Sequence, residues 1–400
     1  MWGFYLSMHY DYIICGGGMA GLSLAYYLQN SKLADKRVLI IEPEEKNTND
    51  RTWAMWEQTP NAFEHILCKS WNAVQLVDAN GVAQTLDMGG YKYKLLRGID
   101  FYAFVTTELK KNANISWLKG KVKHIHEEVE GASVETQNGE LLQAEYVFDS
   151  TYKLDLSQKF NHNLLQHFKG YVIETTQPGF DVALPTMMDF SVPQKNDCRF
   201  MYLLPFSERR ALVEYTLFSE TLLTPEEYDA ELKQYIEGHL KLTDYKIIEE
   251  EFGIIPMSDV ATEEFPSAHV VRIGTAGGYT NPATGYTFQN TQRRLKKLVE
   301  NLEKTGSPIV KEGWYQKRFL FYASVLLNVL EQKRHSAADF FASLYRKNPP
   351  ARVFSFLDGD TNLWEDIKLM NTVPKAKFIA AVGAVLLRKL KARFIYQPRP

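Results

Sequence analysis

Residues 16–21 read Gly-Gly-Gly-Met-Ala-Gly and match the pattern GxGxxG. The pattern follows a short apolar segment, Tyr12 to Cys15, and opens a run of helix formers, Ala20 to Gln29. In that context each glycine has a task. Gly16 permits the tight turn, Gly18 lets a pyrophosphate approach the backbone, and Gly21 lets helix and strand pack closely. The helix N-terminus supplies free N–H groups and partial positive charge. Glu42 closes the next apolar segment about 20 residues on, where a carboxylate accepts hydrogen bonds from an adenosine ribose. A second glycine loop, RIGTAGGYTNPATGYTFQN, again lies between an apolar segment and a helical pattern. His124 and His126 alternate on one strand face with no third ligand in sight, so no metal site is read there.

These residues need a βαβ unit to position them. The segments Tyr12–Cys15, Ala20–Gln29 and Val38–Ile41 supply strand, helix and strand, a crossover expected to be right-handed and parallel. Residues 70–96 alternate polar and apolar, with turn signals at Asn80-Gly81 and Gly89-Gly90, and read as antiparallel strands. Residues 98–150 predict a helix followed by strands and a hairpin. Residues 165–260 are strand-like apart from the helix PEEYDAELKQYIEGHL. The stretch 269–274 predicts a buried strand, FQNTQRRLKKLVENLEKT a helix, and everything after Ser307 more helices. There is no internal repeat, and the nucleotide-binding pieces are interleaved with the rest.

At 400 residues the chain exceeds one simple core and implies two or three cooperating domains. A formal charge of -2 offers no basic field for nucleic acid. Cys15, Cys68 and Cys198 are odd in number and widely spaced, which argues against a disulfide framework or zinc site and fits a reducing cytoplasm. Met1–Ser7 carries no positive charge, no secretory leader is read, and Met8 is a candidate start. Aromatic residues reach 13%, compatible with a large core or an aromatic-lined pocket.

The second glycine loop resembles that of aromatic-hydroxylase-like flavoproteins, in which it meets the ribityl chain and a Pro-x-x-Gly turn aims a helix N-terminus at the isoalloxazine ring. Thr275 stands where those proteins usually have Asp; Gly277, Pro282, Thr284 and Gly285 keep the pattern. That resemblance implies FAD. It also implies a phosphate contact from Arg97, with Arg51 weighed beside it, and adenine pairing with the strand that begins at Val122.

Six further stretches resemble the bacterial flavin-dependent lycopene cyclases: NDRTWAMWE, GGYKYKLLRG, FMYLLPFSERRALVEYTLF, GIIPM, GTAGGYTNPATGYTFQNTQ and ARVFSFLDGDT. They run in order along nearly the whole chain. The resemblance implies an α/β fold, with a Rossmann-like FAD-binding domain of the glutathione-reductase/aromatic-hydroxylase type (8–60, 97–155, 267–306). Interleaved with it are an antiparallel β-sheet substrate domain (61–96, 156–266) and a C-terminal helical region (307–400). It further implies non-redox, acid-catalysed closure of the linear ends of lycopene to β-ionone rings, giving γ-carotene and then β-carotene. FAD would act reduced, with NAD(P)H as electron donor, and the reduced anionic flavin would stabilise the cation or help move the proton.

Protonating an unactivated alkene requires an acid held dry, because burial raises a carboxyl pKa. The family places that acid at Glu214, in ALVEYTLF; the second acid often found next to it is Tyr215 here. By itself a strand Glu more often faces water. Electron-rich walls for the cation are expected from Trp53, Trp56, Tyr202 and Phe218, each of which also suits an ordinary core. A rival class with the same loops is an FAD-dependent monooxygenase on an apolar or aromatic substrate; a carotenoid-binding protein without catalysis is a third.

No segment reaches the roughly 20 apolar residues of a membrane span. The tail from Lys375 has no acidic residue, and Ile379, Val382, Leu386 and Leu390 recur at helical spacing between basic flanks. This predicts either a helix in a membrane interface or one packed on the core. A water-insoluble carotene substrate favours the first. The expected setting is therefore cytoplasmic, peripheral on the inner face of the membrane that supplies lycopene and related linear carotenes. Loose association with other carotenoid enzymes is part of the same expectation.

Overall fold

The computed structural model describes residues 9–310 and 313–395; Met8 and the last five residues lie outside them. The first sheet is seven-stranded, in the spatial order Ile115–Lys119, Val38–Glu42, His9–Cys15, Leu141–Asp149, Gly131–Thr136, Val122–Glu128, with Val270–Arg272 also on Leu141–Asp149. His9–Cys15 pairs in parallel with Val38–Glu42 on one side and Leu141–Asp149 on the other. Its residues Ile13, Ile14 and Cys15 are wholly buried, as a strand covered on both faces must be. The helix Met19–Gln29 packs on this sheet through Leu22, Leu24, Ala25 and Leu28, while Tyr26 is only half-buried. The expected 269–274 strand ends at Arg272, since Gly274 turns the chain away at φ +63°.

The helix Phe288–Thr305 falls where its periodicity puts it. Leu295, Leu298, Val299 and Leu302 form one buried stripe, and Gly306, left-handed at φ +73°, ends it.

A second seven-stranded sheet runs Tyr245–Ser258, Asn163–Thr175, Arg210–Ser219, Cys198–Ser207, Thr186–Asp189, Ala73–Val77, Ala83–Asp87. The long strands are antiparallel. One face buries Tyr171, Val213 and Tyr215 against the helix Pro225–Lys233; the other faces the cavities described below.

The two turn signals between residues 70 and 96 have different outcomes. At Gly81, φ +79°, the chain folds back as a hairpin. At Gly89 and Gly90, φ +56° and +93°, it leaves the sheet. Lys92–Arg97 then pairs with Thr52–Glu57 and Lys69–Trp71 in a separate three-stranded sheet. That small sheet spans the expected boundary at residue 60.

After Ser307 the described chain is helical: Trp314–Glu331, Ala337–Lys347, Pro350–Leu357, Leu363–Met370 and Lys375–Ile395. The last helix packs on Trp314–Glu331 through its smaller residues, Ala381 and Val385, against Val325 and Val329. Its larger ones, Ile379, Leu386, Leu387 and Leu390, are 48–69% exposed. No helix among the described residues is long and apolar enough to cross a membrane.

Candidate functional site

Three adjoining cavities run from the first sheet to the C-terminal helices. The outermost, about 870 Å³, is lined by Gly16, Gly18, Glu42, Val122 and Arg272 among others. A middle cavity of about 390 Å³ runs from Gly18, Met19 and Ala20 past Thr275 and Gly285 to Glu214. The third, about 460 Å³ and almost wholly apolar, extends under the C-terminal helices. Gly18 borders the first two; Tyr202, Thr284 and Tyr286 border the last two.

The three loop glycines differ in the space around them. Gly16 has φ +100°, a conformation that favours glycine. A Cβ on Gly21 would lie 2.0 Å from the Gly16 carbonyl oxygen, whereas a Cβ on Gly18 would meet nothing within 4 Å. The helix beginning at Met19 has no side-chain cap and no acid in its first turn, and the same holds for the helix beginning at Phe288. Both N-termini therefore keep unsatisfied N–H donors. Glu42 Oε2 accepts from Gly17 N at 2.6 Å, and its other oxygen accepts from Glu44 N.

In the second loop a chain of hydroxyls holds the turn: Thr275 to Thr280 at 3.2 Å and Thr280 to Thr287 at 3.0 Å. Gly285 is left-handed at φ +73°, and a Cβ there would strike Gln166 Oε1. That oxygen and Thr284 Oγ1 are buried without a hydrogen-bond partner, on residues that line the middle cavity. An uncompensated buried polar atom is costly, so the orphaned Gln166 carbonyl and Thr284 hydroxyl suit a ligand carrying its own hydrogen-bonding groups, and the open Gly18 and two uncapped helix ends an anionic one; a dinucleotide such as FAD offers both.

Other expected contacts are placed differently. Gly277 serves packing, since a Cβ on it would lie 2.2 Å from the Arg272 carbonyl oxygen. Pro282, half-buried in the turn, is absent from the linings of all three cavities. The structure does not bring Arg97 to the cradle: its guanidinium lies 3.2 Å from Glu249, and it lines none of these cavities. Arg51, paired with Asp50 at 3.1 Å, does line the middle one. His124 and His126 stand on an exposed strand face with ring centres 5.8 Å apart.

Glu214 is 8% exposed and looks into the middle cavity. Strand register explains its surroundings. Its neighbours across the ladder are Tyr202 on one side and Gly170 on the other. Gly170 in turn pairs with Glu251 on the far strand. Because Gly170 has no side chain, the two glutamates close over it; a Cβ there would be 3.1 Å from Glu251 Cγ and 3.3 Å from Glu214 Cβ. Glu251, 6% exposed, accepts from Thr52 Oγ1 at 2.8 Å through one oxygen, while its other oxygen is buried with no partner unless the Glu214 carboxyl is protonated. Thr216 Oγ1 donates to Glu214 at 2.8 Å.

Burial first, and then the charge of Glu251, pushes the Glu214 carboxyl well above the usual carboxylate range. Burial raises the Glu251 carboxyl as well, and because like charges disfavour joint ionisation the two carboxyls compete for one proton. Tyr215, beside Glu214 in sequence, points to the opposite face, where Arg199 donates to its hydroxyl at 3.2 Å. Strand alternation rules out a paired acid at that position; the partner comes from across the sheet. Sequence reasoning missed Glu251 because Glu249-Glu250-Glu251 reads as a solvated run. The available signal was Gly170, a glycine inside a strand, which marks close approach.

The expected aromatic residues divide between the cavities. Trp53 lines the middle one, edge-on to Phe101 at 5.5 Å. Trp56 and Phe218 line the apolar one, and Tyr202 borders both. Trp56 packs against Tyr286 with ring centroids 4.1 Å apart and planes tilted by 56°, and its Nε1 donates to Asp358 at 2.8 Å. Asp358 is pushed up to about 7, chiefly by burial.

Known proteins resemble the chain along its length. The family described as "Lycopene cyclase protein" matches residues 11–382. A lycopene beta-cyclase of Pseudescherichia vulneris is 28% identical over 398 residues, covering 94% of this chain and 97% of that protein. One from Pantoea ananas is 24% identical over 396 residues, with 94% and 98% covered. Among solved structures, a flavoprotein/dehydrogenase from Cytophaga hutchinsonii superposes with a TM-score of 0.60 at 13% identity, over 95% of this chain and 100% of that one. The fold is thus that of the flavoprotein oxidoreductases.

Proposed function

The chain belongs to the lycopene cyclase family, and from that premise we propose that it cyclises the ends of lycopene to β-ionone rings, with Glu214 as the acid and FAD as cofactor. The observation that carries the reading is the place of Glu214: a buried carboxyl, its pKa raised by that burial, beside the wall of Tyr202 and Tyr286 that separates the glycine-lined cavity from the aromatic one.

The cradle of Gly16 and Gly18, Arg51, Glu42 and the Val122 strand would hold the nucleotide end of FAD, and Gln166, Thr275 and Gly285 its inner part. Reduced flavin, supplied with electrons by NAD(P)H, would add an electron-rich ring that favours a nearby cation. The chain's own residues do the rest. The apolar cavity, within the range of ~300–1,000 Å³ usual for small-ligand sites, takes the carotene chain, whose end passes Tyr202 and Tyr286 to reach Glu214 in the middle cavity. Glu214 delivers its proton to the terminal double bond. Trp56, Phe218 and the rings of Tyr202 and Tyr286 present π-faces to the tertiary cation. Burial raises both tyrosine hydroxyls. They therefore stay neutral and are poor nucleophiles toward the cation. Water, the competing nucleophile, is excluded by the same walls.

The test is expression in cells that accumulate lycopene, followed by pigment analysis. β-Carotene or γ-carotene is the expected product. Unchanged lycopene from a soluble, FAD-loaded protein would count against cyclisation, and oxygen uptake with NAD(P)H would then test the monooxygenase class.

The substrate reaches the site from a bilayer in this reading. Ile367, Val373, Lys375, Phe378 and Ile379 line the apolar cavity where the Leu363–Met370 and Lys375–Ile395 helices converge. Trp364 and Ile379 there are 64% and 69% exposed, with Lys368, Lys375 and Lys377 close in sequence. Apolar side chains bordered by lysines suit an anionic membrane surface. Trp364→Asp combined with Ile379→Asp is expected to weaken binding to anionic vesicles at least tenfold, or about 1.4 kcal/mol, with an unchanged melting temperature. Equal vesicle binding by the double variant would place the membrane contact elsewhere.

A further inference from the structure

The acid–base reading leaves Glu251 without a task, although it is among the most buried carboxyls of the chain. It comes from a different strand than Glu214 and meets it only because Gly170 vacates the space between them. Glu214 borders the cavity and Glu251 stands behind it. We propose that Glu214 and Glu251 share one proton as a carboxyl pair, with Glu251 the positioning residue that keeps Glu214 loaded and readies the pair to recover the proton. The proposal rests on Glu214 being the acid.

The chemistry balances without an outside donor. The O–H bond of Glu214 breaks as a C–H bond forms at the terminal alkene. The neighbouring π pair closes the ring. A ring C–H bond then breaks, its electrons become the ring double bond, and the proton returns to the pair. Between the two transfers both carboxyls are ionised side by side. Two negative charges favour the nearby cation and, because like charges disfavour joint ionisation, make the pair a strong base for the ring proton. The pair ends with the one proton it began with and is ready for the other end of the carotene.

The groups around the pair set the sign of its pH response. Asp50 and Glu249 face Glu251 and add negative charge. Arg51 offsets Asp50, and Arg97 and Arg210 offset Glu249, at 3.2 Å and 2.7 Å. Thr52 and Thr216 do not titrate, and the hydroxyls of Tyr93, Tyr202 and Tyr286 are all raised by burial. Glu251 is thus the charge that acts directly on Glu214. Activity that needs protonated Glu214 is present below its pKa and lost above it. Removing the charge of Glu251 lowers that pKa, so the alkaline limb must move to lower pH.

The experiment measures cyclisation by the FAD-loaded, reduced enzyme on vesicle-borne lycopene across pH, for wild type, Glu251→Gln, Glu251→Asp and Glu214→Gln. Glu251→Gln keeps an acceptor for Thr52. Its alkaline limb is expected about one pH unit or more below that of wild type, on top of a lower kcat on the acid side, since the ring proton then meets a single carboxylate. Glu251→Asp restores the charge and returns the limb toward wild type. The infrared carbonyl band of the protonated carboxyl gives the same answer without turnover and is expected to titrate away at lower pH in Glu251→Gln. A Glu251→Gln rate lowered equally at every pH, with an unmoved infrared band, would sink the pair and leave Glu214 as a lone acid. Cyclisation by Glu214→Gln would overturn both readings at once.

Discussion

Glu214→Gln is expected to yield a folded, flavin-loaded protein in which lycopene stays uncyclised. The amide has nearly the shape of the protonated carboxyl it replaces. It still accepts from Thr216, and its NH₂ donates to Glu251 where the acid O–H did. An amide in place of a protonated carboxyl adds no buried charge, and the melting temperature should barely move. What disappears is the acidic proton. General acid catalysis contributes about 10²–10⁴-fold, and an unactivated alkene offers no easier route, so a loss at the upper end is expected. The check is pigment analysis from lycopene-accumulating cells, alongside the flavin absorbance of the purified variant. Carotene rings formed by an equally abundant Glu214→Gln protein would remove Glu214 from the proton transfer.

Two substitutions in one glycine loop should fail in opposite ways. Gly18→Val puts a side chain into open space, since nothing lies within 4 Å of the Cβ position, and Gly18 has φ -79°, which any residue adopts. The fold should survive with its melting temperature intact while FAD is lost, because the new methyls stand where the pyrophosphate would lie. Gly21→Ala instead drives a methyl to 2.0 Å from the Gly16 carbonyl oxygen. Helix and strand must separate, at about 1–3 kcal/mol or more, so stability falls together with flavin content. Flavin absorbance and thermal melts on both variants decide it. A Gly18→Val protein that keeps full FAD occupancy would show that the cradle does not hold the pyrophosphate.

The same glycines show how much was legible beforehand. GxGxxG, Glu42 and the helix at 288–305 were read correctly in place and form because their signals are local: a turn conformation, a strand followed by a helix, a stripe with a period of 3.6. The turn at Gly89-Gly90 was visible as a turn, but a turn residue does not say which sheet receives the strand after it. Arg97 shows the same limit of local reading. Its position before a helix suggested a phosphate contact, whereas Glu249 and Arg210 arrive from another sheet and engage it in an ion-pair cluster.

The sequence by itself determined the family and the dinucleotide-type cradle, since six ordered motifs and two glycine loops depend on residues near one another in the chain. Only the tertiary structure decided which carboxyls meet. Glu214 and Glu251 become partners because two long strands flank the one on which Gly170 sits, in a register that puts all three in line. It also decided that the last helix buries Ala381 and Val385 and exposes Ile379, Leu386, Leu387 and Leu390. Helical spacing marks a stripe but not what covers it; that depends on the Trp314–Glu331 helix, which occupies one side and leaves the other open.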